Sequence, residues 1–178
     1  EEPIPEELII EASRYTTLHL LATPVLCGAA YKNKGITQLL DAVIHFLPSP
    51  LDVGAVVGMD RTDPEKTHSR YPSPKDPFSA LAFKIIYDHY VGQQTFIRIF
   101  SGRLSTGMQV LNSSKDKNER IGRIMRIHAK MREDIPEAGP GDIVALVGLK
   151  FTKTGDTLCD PDNPLLLESI FIPPPVIE

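Results

Sequence analysis

The sequence lacks the features that mark membrane, secreted and zinc-binding proteins. No apolar run approaches the roughly 18–20 residues that a membrane helix needs, and the N-terminus is acidic rather than basic and then apolar, so no signal peptide is indicated. The two cysteines, Cys27 and Cys159, form no CxxC pair, and the five histidines stand singly, whereas a zinc site needs clustered ligands. We therefore expect a cytoplasmic protein without a membrane partner. Its cysteines would be buried free thiols or, alternatively, one long-range disulfide.

Motifs that indicate catalysis are missing as well. Residues 102–107 have the GxxxxG spacing of a phosphate-binding loop, but Met108 and Gln109 follow where that loop has a lysine and a hydroxyl residue. Since this segment lies between predicted strands, we expect a hairpin turn. Residues 33–36 resemble the guanine-reading NKxD motif without its aspartate. No Ser/His/Asp, Cys/His or paired-carboxylate arrangement stands out, so the residues alone indicate no catalytic site.

Proline is the residue that the sequence has in excess. Sixteen of its 178 residues are proline, about 9% against a usual share of roughly 5%. Together with twelve glycines, these prolines divide the chain by turns and exclude a long helical bundle. A hydrophobic share of 42% still suffices for a core, which predicts one ordinary domain or two small ones.

Positive charge is concentrated in residues 115–132. This segment has a net charge of +5, while the rest of the chain carries −9. Nucleic acid attracts basic surfaces and is repelled by acidic ones, so the segment is a candidate nucleic-acid contact. The alternative is a solvated basic face without a partner.

Hydrophobic patterning predicts different structures before and after residue 78. We expect a helix after Pro5, a short strand at residues 23–27, and a helix at residues 36–47 that the following prolines end. One strand cannot make a sheet, so this part has the pattern of the end of a larger α/β unit. Residues 59–77 are polar, rich in proline and without periodicity, which predicts an exposed connector or a long loop.

From residue 78 onward, short apolar or β-branched runs alternate with glycine and proline and predict strands. Their spacing is typical of a closed or nearly closed antiparallel barrel of about a hundred residues, with a hairpin between the second and third runs. Residues 120–131 are ambiguous, because Ile121, Ile124, Ile127 and Met131 recur at the spacing of an amphipathic helix. The predicted strands are residues 80–87, 95–100, 108–111, 142–147, 156–159 and 165–172.

Three stretches together resemble elongation factor G, the ribosomal translocase among the translational GTPases. Residues 24–35, PVLCGAAYKNKG, are similar to the last guanine-nucleotide motif of that family. Residues 47–53, LPSPLDV, are similar to its junction with the second domain. Residues 119–124, ERIGRI, resemble the second domain itself, a β-barrel. The barrel pattern continues through residues 128–129, 141–143, 147–150 and 154–159.

The resemblance implies a mainly β fold, an antiparallel translation-factor β-barrel preceded by a small α/β remnant of a GTPase domain. Residues 1–50 would be the end of the GTPase domain, residues 51–77 a connector, residues 78–172 the barrel, and residues 173–178 the start of a linker to the next domain. The resemblance also favours strand and loop over helix at residues 120–131. The family's phosphate loop, switch segments and NKxD do not occur in the sequence, so we expect an excised piece of a longer factor.

The resemblance further implies a function. The parent factor catalyses GTP-dependent ribosomal translocation with GTP and magnesium, while this piece would be a non-catalytic module without a cofactor. It would dock on the small ribosomal subunit and couple the GTPase domain to the remaining domains of the factor. Two alternatives stay open: a fragment of a related translational GTPase of the ribosomal-protection or recycling type, or a GTPase fragment with residual nucleotide binding.

Candidate site residues follow from the same resemblance. The backbone N–H of Ala30 would face the guanine O6 in the intact parent, with Ala29 and Tyr31 beside it. Arg123 and Arg126 are weaker candidates for contacts with ribosomal RNA (rRNA). In a strand their side chains would lie on different faces, and one face would hold neighbouring acids. Lysines and arginines on loops suit the rRNA backbone. The candidate rRNA contacts are Lys115, Lys117 and Arg120 at a hairpin-like turn, followed by Lys150 and Lys153 in a later loop.

The N-terminal part also predicts self-association. The helix at residues 36–47 would normally pack on a sheet, which this sequence does not contain. Its apolar face is then exposed, and exposed apolar surface favours contact with a partner. We therefore expect a homodimer through this N-terminal surface.

Overall fold

A computed structural model describes residues 3–63, 65–90, 92–129 and 131–169. Internal contacts divide the chain after Val53 into an N-terminal unit and a larger second unit, and each is described by itself. The linker predicted at residues 173–178 and the end of the strand predicted at residues 165–172 lie outside the described residues.

Helices form the framework of the N-terminal unit. They are α1 (Glu6–Leu18), α2 (Ile36–Phe46) and α3 (Pro50–Val53), with a 3-10 turn at Ala30–Lys32. α1 begins after Pro5 and carries Glu6 and Glu7 at the positive end of its dipole. It packs on α2, and the Arg14 guanidinium donates to the His45 carbonyl oxygen at 2.8 Å. Both helices predicted from the sequence are confirmed.

A capping box starts α3. The N–H and hydroxyl of Ser49 donate to the Asp52 carboxylate at 2.7 and 2.6 Å, and the Asp52 N–H donates to the Ser49 hydroxyl at 3.3 Å. Hydrogen bonds from the Ser49 side chain, the Ser49 N–H and Arg14 lower the pKa of Asp52 to about 2. Pro50 takes the first helical position, where its missing N–H costs nothing. Pro48 thus follows the end of α2, and Pro50 begins α3.

The strand predicted at residues 23–27 is wrong. This segment has no regular secondary structure, and a single bridge pairs Ala29 with Lys34. A strand forms only where a neighbour satisfies its N–H and C=O groups, and the described part of this unit supplies no such neighbour. Cys27 is exposed rather than buried as predicted, whereas Cys159 is buried, and both are free thiols.

α2 leaves much of its apolar side exposed. Leu40 and Ile44 are 60% and 73% exposed, and of the helix residues, all of which are described, only Ala42 is buried. The homodimer expected through this surface stays a prediction.

The larger unit consists mainly of strands. Its described residues form β1 (Val56–Met59), β2 (Thr67–Arg70), β3 (Ser79–Asp88), β4 (Gly92–Ser101), β5 (Leu104–Ser105), β6 (Gln109–Asn112), β7 (Lys117–Arg120), β8 (Arg123–His128), β9 (Met131–Ile135), β10 (Glu137–Ala138), β11 (Ile143–Val147) and β12 (Thr157–Cys159). Eight of these strands form one antiparallel sheet in the order β7-β6-β12-β3-β4-β11-β8-β9. β1 pairs with β2, and β5 pairs with β10.

The eight-stranded sheet curls around one hydrophobic core. Val110 of β6 and Ile124 of β8 lie five places apart in the sheet order, yet they share one buried cluster with Ile97 of β4 and Leu158 of β12. Side chains so far apart on a flat sheet would not meet, so the sheet is bent into a barrel. The β5–β10 pair joins the chain before β6 to the chain after β9. The predicted mainly β fold with an antiparallel barrel is confirmed.

The predicted hairpin of β4 with β6 is wrong, and residues 102–107 are not a hairpin turn. β4 pairs with β3 and β11, whereas β6 pairs with β12 and β7. Gly102 has a φ of 71°, and its N–H donates to the Ser73 carbonyl oxygen at 2.9 Å. This contact turns the chain away from β4, and the residues that follow form β5. Nearness in sequence therefore does not decide which strands pair here.

Residues 59–77 contain a strand, which corrects the prediction of a connector or loop. β1 and β2 pair antiparallel over four residues. Met59 also exchanges two backbone hydrogen bonds of 2.8 Å with Leu166. This is an isolated bridge, so residues 165–169, the described part of the strand predicted at residues 165–172, form no strand. The sequence of β2, THSR, has no apolar alternation and therefore gives no strand signal.

The described residues between 120 and 131 form strands and turns, as the resemblance implies. β8 pairs with β11 on one side and with β9 on the other. Between β7 and β8, the Gly122 N–H donates to the Val147 carbonyl oxygen at 3.0 Å. A Cβ at Gly122 would lie 2.6 Å from that oxygen, so the close approach requires glycine. Pairing with two neighbouring strands overrides the helical spacing of the isoleucines.

Candidate nucleic-acid interface

Two loops of the barrel meet at the candidate site. The first loop is residues 113–116, between β6 and β7, and the second loop is residues 148–156, between β11 and β12. Asn112, fully buried at the end of β6, donates from its amide nitrogen to the Asp156 carboxylate at 2.9 Å and to the Thr152 hydroxyl at 3.2 Å. Because a buried amide needs such partners, Asn112 ties the start of the first loop to the second loop.

The Glu119 carboxylate holds the second loop from β7. It is 6% exposed and accepts hydrogen bonds from the Lys150 N–H, from the Phe151 N–H at 2.9 Å and from the Thr152 hydroxyl. Three donors replace the water that an ionised carboxylate loses on burial, and bonds to a charged acceptor are strong. The second loop is therefore fixed at three successive residues.

Lys115 is held inside the site. Its Nζ lies 2.8 Å from the Asp156 carboxylate and donates to the Phe151 carbonyl oxygen. Burial by itself raises the pKa of Asp156, but hydrogen bonds from Lys115, Asn112 and the Lys153 N–H outweigh it and leave that pKa below its usual range. Lys115 thus helps to shape the two loops, and its contact with rRNA stays a prediction.

Lys117, Lys150 and Lys153 present their side chains to solvent, and we call them the lysine surface. All three are exposed, and none forms an ion pair with another residue that the structure describes. Lys117 lies two residues before Glu119 on β7, so the two side chains share a face of that strand. The lysine surface therefore combines one strand position with two positions of the second loop.

The acids around the lysine surface are already engaged. Asp116, in the first loop, pairs with Arg61 between β1 and β2. Glu119 and Asp156 are buried and hydrogen-bonded within the site. Asp116 and Asp156 are each paired with a cation, so their repulsion of an approaching anion is reduced.

Arg120 does not join the lysine surface. Side chains alternate along a strand, so Arg120 faces the side opposite to Glu119. Its Nε donates to the Gly107 carbonyl oxygen at 3.1 Å. The structure therefore brings four of the five predicted rRNA contacts together and places Arg120 on the other side of β7.

The arginines of β8 and β9 lie against acids. Such exposed ion pairs add little stability, but they occupy the charge of the arginine. Much of the positive charge of residues 115–132 is therefore neutralised locally. The pairs are Arg123 with Asp134 at 2.8 Å, Arg126 with Glu133 at 3.9 Å, and Arg132 with Asp88 at 2.7 Å.

The sequence reasoning missed Phe151. Its side chain is 50% exposed, in the second loop between Lys150 and Lys153. An aromatic residue among lysines is a pattern typical of single-stranded nucleic-acid contacts, and this signal was present in the sequence.

The predicted nucleotide motif forms a tight turn in the N-terminal unit. The Ala29 N–H donates to the Lys34 carbonyl oxygen at 2.9 Å, and the Ala29 carbonyl oxygen accepts from Lys32 and Lys34 at 2.9 and 3.1 Å. Ala30 begins the 3-10 turn, and the Tyr31 side chain is fully exposed. A groove of about 210 Å³ lies beside this turn. The contact of these residues with guanine stays a prediction.

Two other kinds of site are not found in the described part of the chain. No helix there has the length and apolar character needed to cross a membrane. No group of three or more His, Cys, Asp and Glu residues there could hold a metal ion.

The barrel matches a known family. Residues 77–161 match the family model described as Elongation factor G domain 2. A crystal structure of a protein from Thermus thermophilus is similar with a TM-score of 0.71 and 20% sequence identity, over 99% of this chain and 24% of that one. This chain thus spans about a quarter of the length of the Thermus protein, and the likeness shows a common fold. Residues 77–161 of this chain are therefore similar to Elongation factor G domain 2, and the mainly β fold is the one expected for that domain.

Proposed function

We propose that this chain docks on the small ribosomal subunit through the lysine surface, as a non-catalytic part of a translation elongation factor. The observation that carries the proposal is the exposure of three lysines without a described ion pair, one on β7 and two on the second loop, whose backbone is fixed by buried carboxylates. rRNA presents a dense array of phosphates, which such a surface attracts irrespective of base sequence.

The fixed loops favour this role energetically. Binding normally costs the entropy of ordering flexible loops and side chains. Here the main chain of the second loop is already held at Lys150, Phe151 and Lys153. In the second loop, the conformational entropy lost on binding phosphates is then mainly that of the lysine side chains.

In the intact factor, the barrel couples a GTPase domain to the remaining domains during GTP-dependent translocation in the cytoplasm. GTP and magnesium belong to that parent and not to this chain. The similarity of residues 77–161 to Elongation factor G domain 2 and the resemblance of residues 24–35 to the last guanine motif support this proposal.

Neutralising the lysine surface tests the docking role. We expect the triple variant Lys117→Gln, Lys150→Gln, Lys153→Gln to bind small ribosomal subunits at least tenfold more weakly at low salt. Each lost phosphate contact should reduce the slope of log K against log salt by about 0.7–0.9. Filter binding or sedimentation of the chain with small subunits, across a series of salt concentrations, measures both quantities.

A matched control separates the site from the overall charge. The triple variant Lys32→Gln, Lys75→Gln, Lys84→Gln removes the same charge from exposed lysines elsewhere and should bind nearly as well as the original chain. Equal losses in both triple variants would refute a docking role for the lysine surface.

The chain should not bind guanine nucleotides with micromolar affinity. Phosphate and magnesium contacts supply most of the binding energy of GTPases, and the sequence contains no phosphate loop or complete NKxD. Isothermal titration calorimetry with GDP and with GTP plus magnesium should give no binding heat at these concentrations. A micromolar dissociation constant would instead favour a fragment with residual nucleotide binding.

A further inference from the structure

We propose that Phe151 stacks on an unpaired base of the RNA bound at the lysine surface. This inference rests on the proposed function and adds the class of RNA that the site recognises, a segment with a base turned out of its helix. Its basis is the position of the aromatic side chain, its exposure, and the way its backbone is held.

The backbone of Phe151 is fixed while the residue is half exposed. The Phe151 N–H donates to the Glu119 carboxylate at 2.9 Å, and its carbonyl oxygen accepts from the Lys115 Nζ. The next residue, Thr152, turns its hydroxyl inward to Glu119 and is 2% exposed. Phe151 is nonetheless 50% exposed, so the fixed loop keeps it at the surface instead of burying it.

The positively charged side chains near the ring suit the phosphates of a nucleotide. Lys150 directly precedes Phe151, and Lys153 follows two residues later, both exposed. Stacking of a base on the ring would leave the phosphates of the same nucleotide and its neighbour near these ammonium groups. Aromatic rings beside a positively charged groove are the usual means of binding unpaired nucleotides.

An unpaired base is favoured over a continuous helix. Bases inside an A-form helix are covered on both faces by their neighbours, and its deep major groove is closed to side chains. Only a base in a loop, a bulge or an end exposes a face to a ring. Phenylalanine has no hydrogen-bonding group, so the contact should depend on stacking area rather than on base identity, with purines favoured.

The test compares two RNAs with the full chain. One is a short RNA hairpin with a fully paired stem, and the other is the same hairpin with a single bulged 2-aminopurine. We expect Phe151→Ala to weaken binding of the bulged RNA about tenfold, the effect of losing one stacked base, and to change binding of the paired RNA less than about twofold. The fluorescence change of 2-aminopurine on binding should be lost in Phe151→Ala and Phe151→Leu, and kept in Phe151→Trp.

The lysine triple variant distinguishes this inference from the proposed function. It should weaken binding of both RNAs, since phosphates are common to them. If the triple variant weakens both while Phe151→Ala changes neither, or weakens both equally, the stacking role is refuted and docking through lysines stands. If neither RNA nor the small subunit binds the unchanged chain at low salt, both proposals are refuted. Circular dichroism shows that each variant is folded.

Discussion

Replacement of Glu119 by alanine should lower the free energy of unfolding of the barrel by about 4 kcal/mol. The substitution leaves the buried hydroxyl of Thr152 and the partly buried N–H groups of Lys150 and Phe151 without their acceptor. Each orphaned buried donor costs roughly 1–3 kcal/mol, and bonds to a charged acceptor lie toward the upper end. Urea unfolding followed by circular dichroism measures the change.

The same variant should release the second loop. Without the carboxylate, the amides of Lys150 and Phe151 lose their protection from hydrogen exchange, while those of β4 keep it. The lysine surface then loses its fixed backbone, so affinity for small subunits should fall although no lysine is changed.

Glu137→Ala is the matched control for Glu119→Ala. Glu137 is an exposed acid of β10 whose only described ion pair, with Arg103, is a surface pair at 3.3 Å. Its loss should change stability by no more than about 0.5 kcal/mol. If Glu119→Ala costs no more than this control, the buried carboxylate does not hold the loop.

The second large effect is expected at Gly102, the first glycine of the GxxxxG segment. Its φ of 71° is unfavourable for any residue with a Cβ, at a cost of about 1–2 kcal/mol. A Cβ there would also lie 2.5 Å from the Cα and 2.6 Å from the nitrogen of Phe78. Both are backbone atoms of a buried residue and cannot move aside. Gly102→Ala should therefore cost at least about 3 kcal/mol or abolish folding of the barrel.

Gly107, the second glycine of that segment, provides the comparison. Its φ is 84°, but a Cβ would meet only an Arg120 side-chain nitrogen at 3.6 Å, an ordinary contact. Gly107→Ala should then cost only the backbone strain, about 1–2 kcal/mol. Urea midpoints of the two variants test this, and similar midpoints would show that the approach to Phe78 is not limiting.

Local patterns predict the elements of this chain better than their partners. The apolar and β-branched runs at residues 95–100 and 142–147 predict β4 and β11, because such side chains fit a pleated surface. The pairing of β6 with β12 depends on residues about fifty positions apart, and on a turn at Gly102 that no local pattern reveals. Likewise the helical spacing in residues 120–131 fails because backbone pairing with β11 outweighs it.

The candidate site, too, was predictable only where it depends on local sequence. Lysines in loops are visible in the sequence, and Lys117, Lys150 and Lys153 are indeed exposed. The partner of Lys115 is Asp156, forty-one positions later, so its engagement depends on the fold. That Arg120 and Glu119 lie on opposite faces follows only once β7 is known to be a strand.

One oxygen of Asp156 has a consequence for protein engineering. It accepts from the side chain of Asn112, lies 2.8 Å from that of Lys115, and accepts from the backbone N–H of Lys153. The two loops are thus parts of one transferable unit. A graft of the second loop alone onto another barrel would bring an aspartate without its amide and ammonium partners, so both loops must be moved together and at their present lengths.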